Sequence, residues 1–541
     1  MIQTFSGAQA LAHAALAAGV RLVSGYPGSP ATAVVNALLR HSAPEQMHIE
    51  WNSNEKVALE TAFGASLGGR RSLLCVKSVG LNIALDPLMT LNLSGCNAGM
   101  VLLVGDDPGS WGSQNEQDSR WLARLTEIPW LEPTTVANGY AAMREAFTLS
   151  EEIGLPVVVR ITRALALAQG AVALEPPADS SPARAFQRGF MRWVVLPVNV
   201  VPLHDRLLER LQVVQTRFEG SPLNRAAGEG ARGIIAAGFA YQKLMDLLGG
   251  QLPPGLRILS LGTLHPLPEQ RLTTFLRTLR SVLILEESAA VVEREVRALA
   301  QSAGMSLPIC GRESGHVPAT GELFGAEIAR ALNAFDPDLG LAIPAETTRP
   351  MPSRRPLCDG CPYIPTFDAL KAEMAARGGE SCFIVVGDPG CMVRAQMPPY
   401  RLLDVKHGLG SAIGMATGLA LAQRGTGGRV VALCGDSGFL HSGFGGLVDA
   451  ARADVPLLVL ILDNGTTALS GGQPHPGSAL DARGAPRPGV DLVGLAREAG
   501  ARHVELVDLD AGADVQPALA NGLDYGGVAV VVVRGQCRPS S

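Results

Sequence analysis

Short, almost unbroken apolar runs alternate along this chain with amphipathic stretches and glycine-rich turns. Residues 20–24, 72–76, 100–104 and 156–161 read as strands buried on both faces of a parallel sheet. Between the first two runs, Ala58, Leu59, Ala62, Phe63, Ala65 and Ser66 recur at roughly helical spacing and predict a helix over 54–67. The strand pattern returns at 233–237, 257–260 and 281–285, and again at 382–386, 430–433, 457–462 and 529–533. Strands alternating with helices in this way predict three doubly wound α/β domains. Their expected extents are 1–175, 232–343 and 357–541. A linker over 176–231, proline-rich and then charged (204–215), carries one helix, and a second linker, rich in Pro, Thr and Arg, fills 344–356.

Composition narrows the class. With 47% hydrophobic and 18% charged residues, the 541-residue chain is core-rich and folded rather than disordered. A net charge of −5 with no basic stripe argues against a nucleic-acid partner. The apolar runs fall far short of the roughly 20 residues a membrane helix needs. Residues 1–20 lack the basic start of a secretory signal. A soluble, cytoplasmic protein is the expectation. The nine cysteines, at 75, 96, 310, 358, 361, 382, 391, 434 and 537, do not suggest a disulfide scaffold. No closely spaced cysteine run of the kind that holds an iron–sulfur cluster is present, so no cluster is expected in this chain.

The chemistry concentrates in two polar clusters, Gly435-Asp436-Ser437-Gly438 and Asp463-Asn464-Gly465-Thr466. Each follows a buried strand and so sits where open parallel sheets bind ligands. Asp436 offers a carboxylate, Asn464 an amide oxygen and Thr466 a backbone carbonyl, a donor set suited to a hard divalent cation that keeps its phosphate partners. The small residues Gly435, Ser437 and Gly438 let a diphosphate approach the N–H groups that open the next helix. The pairing at this spacing resembles the thiamine diphosphate motif, which implies that cofactor with Mg2+. The cofactor's aminopyrimidine needs a carboxylate partner from another domain. Glu55, opening the apolar helix, is the first candidate, although a first-turn acid favoured by the helix dipole reads the same way. Glu50 is the second; Glu60, one turn on, reads as a surface or pairing residue.

Further stretches carry a resemblance. They are Gly25-Tyr26-Pro27-Gly28-Ser29-Pro30, Asn54-Glu55-Lys56-Val57-Ala58-Leu59-Glu60, Lys77-Ser78-Val79-Gly80-Leu81-Asn82, Leu261-Gly262-Thr263-Leu264-His265-Pro266-Leu267-Pro268, the segment 358–362, and 435–443 through Pro476. With these, the chain resembles the thiamine-dependent 2-oxoacid:ferredoxin oxidoreductases, and among them the α subunits of the indolepyruvate type. The resemblance implies a pyrimidine-binding domain first, a transketolase-C-terminal-like domain second and a diphosphate-binding domain last. It assigns Glu55 to the pyrimidine, and Asp436, Asn464 and Thr466 to magnesium. It places Tyr26 and Ser29 near the substrate carboxylate, with Lys77 and Asn82 near the same pocket. The Cys358-Asp359-Gly360-Cys361-Pro362 turn, which alone could also be redox-active or half a zinc site, is by resemblance packed on the cofactor through Cys361, with Gly360 allowing close approach. His441 and His475 are candidate proton shuttles, with hydrogen-bonded loop histidines as the plainer reading; His407 is a weaker candidate.

The chain departs from that family in three places. It ends at Ser541 where a ferredoxin-like domain is expected; Tyr363-Ile364 stands for His-Arg; and Gly471-Gly472 stands for Gly-His. The expected activity is decarboxylation of a 2-oxoacid, an aryl pyruvate, with acyl transfer to coenzyme A. Electrons would pass to ferredoxin or a partner. A homodimer with a smaller γ-like subunit is implied by the resemblance. The alternatives are a non-oxidative thiamine-dependent lyase or carboligase, and a cofactor-binding subunit without catalysis.

Overall fold

The computed structural model describes residues 2–175, 184–345, 356–425 and 428–537. Its chain divides into two compact units. One comprises Met1–Glu50 with Glu55–Pro352, the other Trp51–Asn54 with Ser353–Ser541. Residues 1–175 and 232–343, expected as separate domains, therefore lie in one unit, each with its own sheet. Most of the second expected linker, and 176–183 of the first, lie outside the described residues.

The first sheet has seven strands in the order Thr263–His265, Trp130–Leu131, Val157–Thr162, Met100–Asp106, Ser72–Lys77, Leu22–Gly25, His48–Trp51. Ser72–Lys77, Met100–Asp106 and Val157–Thr162 are buried at every position. Helices cover both faces of a sheet like this one, so apolar residues persist along the strand instead of alternating. Chain order reverses between Leu22–Gly25 and Ser72–Lys77, because His48–Trp51 is laid outside the former before the chain crosses back. The edge strand Thr263–His265 pairs antiparallel with Trp130–Leu131. The 261–268 motif thus adds a strand to a sheet otherwise drawn from residues 22–162, a pairing no local pattern announces.

The second sheet, of five strands, is parallel except for Arg225–Gly228, which pairs antiparallel with Leu256–Leu261. Those four residues fall inside the segment expected to be linker. Their low hydrophobicity hid them, since an edge strand buries little. The linker's helix runs over Val200–Glu219. Leu203, Leu207, Val214 and Phe218 form its buried stripe.

The second unit is built on six parallel strands in the order Val405–Lys406, Phe383–Gly387, Arg429–Gly435, Leu457–Asp463, Val528–Arg534, His503–Asp508. Alternate side chains feed two cores. Val431, Leu433, Leu460 and Val531 pack on one face, and Val430, Ala432, Val459 and Val530 on the other. Truncating one of the fully buried leucines costs about 2–5 kcal/mol. Here chain order reverses between Phe383–Gly387 and Arg429–Gly435. No helix among the described residues is long and apolar enough to cross a membrane.

Candidate active site

Open α/β sheets bind ligands at the carboxyl ends of their strands, where strand order reverses. In the second unit that point holds Asp388, just after Phe383–Gly387, and Asp436, just after Arg429–Gly435. Asp436 opens the helical stretch that runs through Phe439–Gly443 into Phe444–Ala453. Its carboxylate is buried and accepts three backbone N–H groups: Ser437 on Oδ1 at 2.7 Å, with Asn464 at 3.1 Å and Gly465 at 2.8 Å on Oδ2. A carboxylate has about four acceptor positions, so roughly one is left for a cation. Asn464 Oδ1 accepts the Thr466 N–H at 3.0 Å, which shapes the 463–466 turn around the carboxylate. Thr466 in turn donates through Oγ1 to the Gln473 carbonyl at 3.2 Å.

His475 completes this cluster. It is 3% exposed, and its Nε2 lies 3.1 Å from Asp436 Oδ2. The Gly477 N–H donates to Nδ1 at 3.1 Å, which assigns the proton of the neutral ring to Nε2. Nε2 is out of line with Asp436 and has no hydrogen-bond partner among the described residues. A buried donor left unpaired beside a carboxylate with an open position is what a site for an anionic ligand and a cation requires. No three His, Cys, Asp or Glu side chains among the described residues converge tightly enough to chelate an ion by themselves. A cation at Asp436 therefore needs phosphate oxygens or waters, as magnesium does. The residues fit a metal-bridged diphosphate.

Asp388 was not singled out from the sequence. It accepts the Gly410 and Ala412 N–H groups at 2.8 and 2.9 Å and the Cys434 thiol at 3.1 Å, and burial pushes its carboxyl up to about 6. His441 is within electrostatic reach of Asp388, and its Nδ1 lies 3.1 Å from Ser442 Oγ. Gly438 lies directly against the Asp388 carboxylate. The Cys358–Cys361 turn closes with a hydrogen bond from Cys361 N–H to the Cys358 carbonyl at 3.0 Å. Gly360 has a φ of +69°, a left-handed conformation that favours glycine, and no protein atom lies within 4 Å of where its Cβ would stand.

Four thiols gather beside this turn. Cys391 lies just beyond Phe383–Gly387, and Cys537 just beyond Val528–Arg534, on the same sheet edge as Asp436. A Cβ on Gly535 would come within 2.8 Å of Pro362, which puts the Cys537 segment against the Cys358–Cys361 turn. Burial first, and then Cys361, Cys537 and Cys358, push the Cys391 thiol up to about 12. Arg394 donates to Cys358 Sγ at 2.9 Å and opposes that rise. Four cysteines form the usual ligand set of an iron–sulfur cluster. The search for closely spaced runs missed this set because its members are separated along the chain and meet only through the sheet.

In the first unit the reversal point holds the 26–30 loop and Lys77. Tyr26 is buried and Ser29 exposed. Lys77 Nζ donates to the Gly112 carbonyl at 2.7 Å and lies 4.0 Å from Asp107; burial pushes its pKa down while Asp107 and Asp106 oppose the shift. Asn82 exchanges both amide hydrogen bonds with Gln117, at 2.7 and 2.8 Å. Glu55 is 6% exposed and begins the helix Glu55–Leu67, with Gly80 of the neighbouring helix pressed against its carboxylate. Behind this half-site lies a buried ionic lattice. Arg160 pairs with Asp106 at 2.7 Å and with Glu132, while Arg120 pairs with Asp118 at 2.6 Å and Glu286 at 2.9 Å. Asp118 also accepts the Ser288 and Ala289 N–H groups, tying the first sheet's loops to those of the second.

Comparison with known proteins places the chain among thiamine diphosphate-binding families. Residues 13–187 match the family described as pyruvate flavodoxin/ferredoxin oxidoreductase, thiamine diphosphate-binding. Residues 386–533 match the thiamine pyrophosphate enzyme C-terminal TPP-binding domain. The indolepyruvate oxidoreductase subunit IorA of Methanothermobacter thermautotrophicus is 34% identical over 99% of this chain and 87% of its own length. Its counterpart in Pyrococcus abyssi is 34% identical over 98% and 85%, and that of Archaeoglobus fulgidus 32% over 98% and 86%. Among solved structures, the 2-oxoglutarate:ferredoxin oxidoreductase from Magnetococcus marinus superposes with a TM-score of 0.50 at 16% identity, covering 62% of this chain and 65% of that one. That likeness bears on the fold alone.

Proposed function

Because this chain belongs to the family of indolepyruvate oxidoreductase IorA subunits and is a thiamine diphosphate-dependent oxidoreductase, we propose that it catalyses oxidative decarboxylation of an aryl 2-oxoacid to its acyl-CoA. In balance, the 2-oxoacid anion and coenzyme A give acyl-CoA, CO2, one proton and two electrons. Thiamine diphosphate, when bound, supplies an acidic ring carbon and an electron sink. The chain's own residues do the rest. Asp436, Asn464 and Thr466 hold Mg2+, and Gly435, Ser437, Gly438 and Cys361 line the diphosphate. Glu55 hydrogen-bonds the pyrimidine and sets its tautomer. Tyr26, Ser29, Lys77 and Asn82 receive the substrate carboxylate, and His441 and His475 hold and move protons.

In this reading 1–175 is the pyrimidine domain, 232–343 the middle domain and 357–541 the diphosphate domain. Cys358, Cys361, Cys391 and Cys537 are the residues that would hold an iron–sulfur cluster, which would supply one-electron transfer, and the acceptor beyond this chain would be ferredoxin or a smaller partner subunit; the word subunit in the relatives' names supports an assembly. A homodimer of this chain is its proposed core. The observation that carries the reading is the Asp436 carboxylate, held by three backbone N–H groups at a strand-order reversal with one position open.

The test is anaerobic product analysis of the purified protein, alone and with the product of its neighbouring gene. It receives Mg2+, thiamine diphosphate, coenzyme A, an aryl pyruvate and a viologen dye. Dye reduction matched by acyl-CoA, and lost in Glu55→Gln, is expected. Aldehyde or acyloin without dye reduction would replace the oxidative reading with a non-oxidative one.

A further inference from the structure

Around residues 186–201 the usual placement of side chains is inverted. Residues 184–203 carry Arg184, Arg188 and Arg192 and no acidic residue, in a chain whose net charge is −5. The polar groups tie the backbone to the domain. Arg192 donates to the Ser94 and Cys96 carbonyls at 3.2 and 2.7 Å and stacks 4.0 Å over the Trp193 ring. Asn199 donates to the Met191 and Val194 carbonyls at 3.2 and 2.8 Å. The apolar side chains face outward: Phe186 and Met191 are 50% exposed, Phe190 59%, Val201 67% and Val198 72%. The short helix Phe190–Trp193 buries none of its residues. Phe190 alone leaves roughly 100 Å² uncovered, and the five together on the order of 500 Å², a size at which an apolar patch marks an interaction site.

Arg192 also lines a cavity of about 430 Å³, together with Arg184, Arg210, Glu151 and Glu152. The two acids already have partners: Glu151 pairs with Arg71 at 2.8 Å, and Glu152 with Arg217. Arg192 and Arg210 form no ion pair among the described residues, and both stay partly exposed. Arg210 donates to the Gly154 carbonyl at 3.5 Å, so backbone bonds occupy one of its five N–H donors and two of those of Arg192. Burial lowers both pKa values, and at Arg210 the Arg192 charge adds to the fall. An apolar face with a basic pocket at its rim fits a surface of the opposite pattern, apolar with an acidic rim. A second copy of this chain does not supply one, because a two-fold contact through this face sets its arginines against their own copies. We propose that the 186–201 face and the arginine-lined cavity form one docking surface for the smaller partner subunit, which contributes an apolar segment and a carboxylate that enters the cavity. The proposal rests on the partner-subunit reading above and says where on this chain that subunit sits.

The test titrates wild type, Phe190→Asp and Arg210→Glu calorimetrically with the purified product of the neighbouring gene, at low and at high salt. A melt and a sedimentation run of each chain alone accompany it. Each substitution should weaken the complex about tenfold or more, and wild-type affinity should fall as salt rises. Phe190→Asp alone should melt near wild type, since the helix that carries it buries nothing. Unchanged affinity in either variant overturns the proposal. So does a wild type that does not bind that gene product, or one whose affinity ignores salt. A wild-type chain that dimerises alone, with a Phe190→Asp chain that does not, gives the face to a second copy and overturns it too. A complex that forms and weakens as expected but oxidises no 2-oxoacid fails the catalytic reading and leaves the docking surface standing.

Discussion

Gly80→Ala tests the proposed role of Glu55 without touching a polar group. A Cβ at position 80 would stand 2.4 Å from Glu55 Oε1, 2.5 Å from Cγ and 2.8 Å from Cδ. Ordinary contact begins near 3.4 Å, so the carboxylate must retreat by about 1 Å, a displacement that can cost on the order of 100-fold in rate when the displaced group is catalytic. The substitution should not unfold the protein. Gly80 lies inside the helix Ser78–Ser94, where alanine gains roughly 0.5–1 kcal/mol over glycine, and that gain offsets part of the crowding. The assay is steady-state 2-oxoacid-dependent viologen reduction, run beside a thermal melt. Turnover should fall about 100-fold with a melting temperature near wild type. Combined with Glu55→Gln, the loss should be far from additive, because both changes act on one carboxylate. A Gly80→Ala enzyme within about threefold of wild type would refute the argument that the Glu55 carboxylate works from its present position.

Two other expectations follow from the same physics. Burial, with Arg124 adding, pushes His265 down to about 4 from an ordinary value near 6.5. The folded state therefore binds fewer protons than the unfolded one between those values, and stability is lost as pH falls from about 6.5 through about 4, by roughly 3 kcal/mol in all. Urea midpoints of wild type and His265→Gln should converge as pH drops through this window; a parallel pair of curves would contradict it. For the thiol group, anaerobically purified wild type should carry iron and acid-labile sulfide, and Cys391→Ser should lose most of both. Iron-free wild type would move the electron acceptor wholly to a partner subunit.

Much of the site was legible because its residues are local in sequence. Asp436, Asn464 and Thr466 sit in two short turns, each directly after a run of apolar residues long enough to be a buried strand, and strand ends are where parallel sheets expose backbone groups. Glu55 was legible for a similar reason: the apolar periodicity behind it fixed it as a first-turn residue. Cys358, Cys361, Cys391 and Cys537 were illegible as a group, since only the membership of Phe383–Gly387 and Val528–Arg534 in one parallel sheet, with two strands between them, brings the segments that follow them to the same end of it. The same holds for the edge strands Arg225–Gly228 and Thr263–His265, whose pairing satisfies backbone groups and leaves no hydrophobic pattern to read.

The sequence by itself determined the α/β class, the strand segments and the two polar turns, because burial on both faces of a sheet must be written as continuous apolar residues and ligand turns as small and polar ones. Tertiary structure alone decided strand order, and with it the reversal points that set Asp388 beside Asp436 and the 26–30 loop beside Lys77. It alone brought His475 Nε2 to within 3.1 Å of Asp436 Oδ2. Strand order is a choice among pairings of nearly equal local energy. Hydrogen bonds between strands do not discriminate among side chains, so only packing of the whole domain selects one.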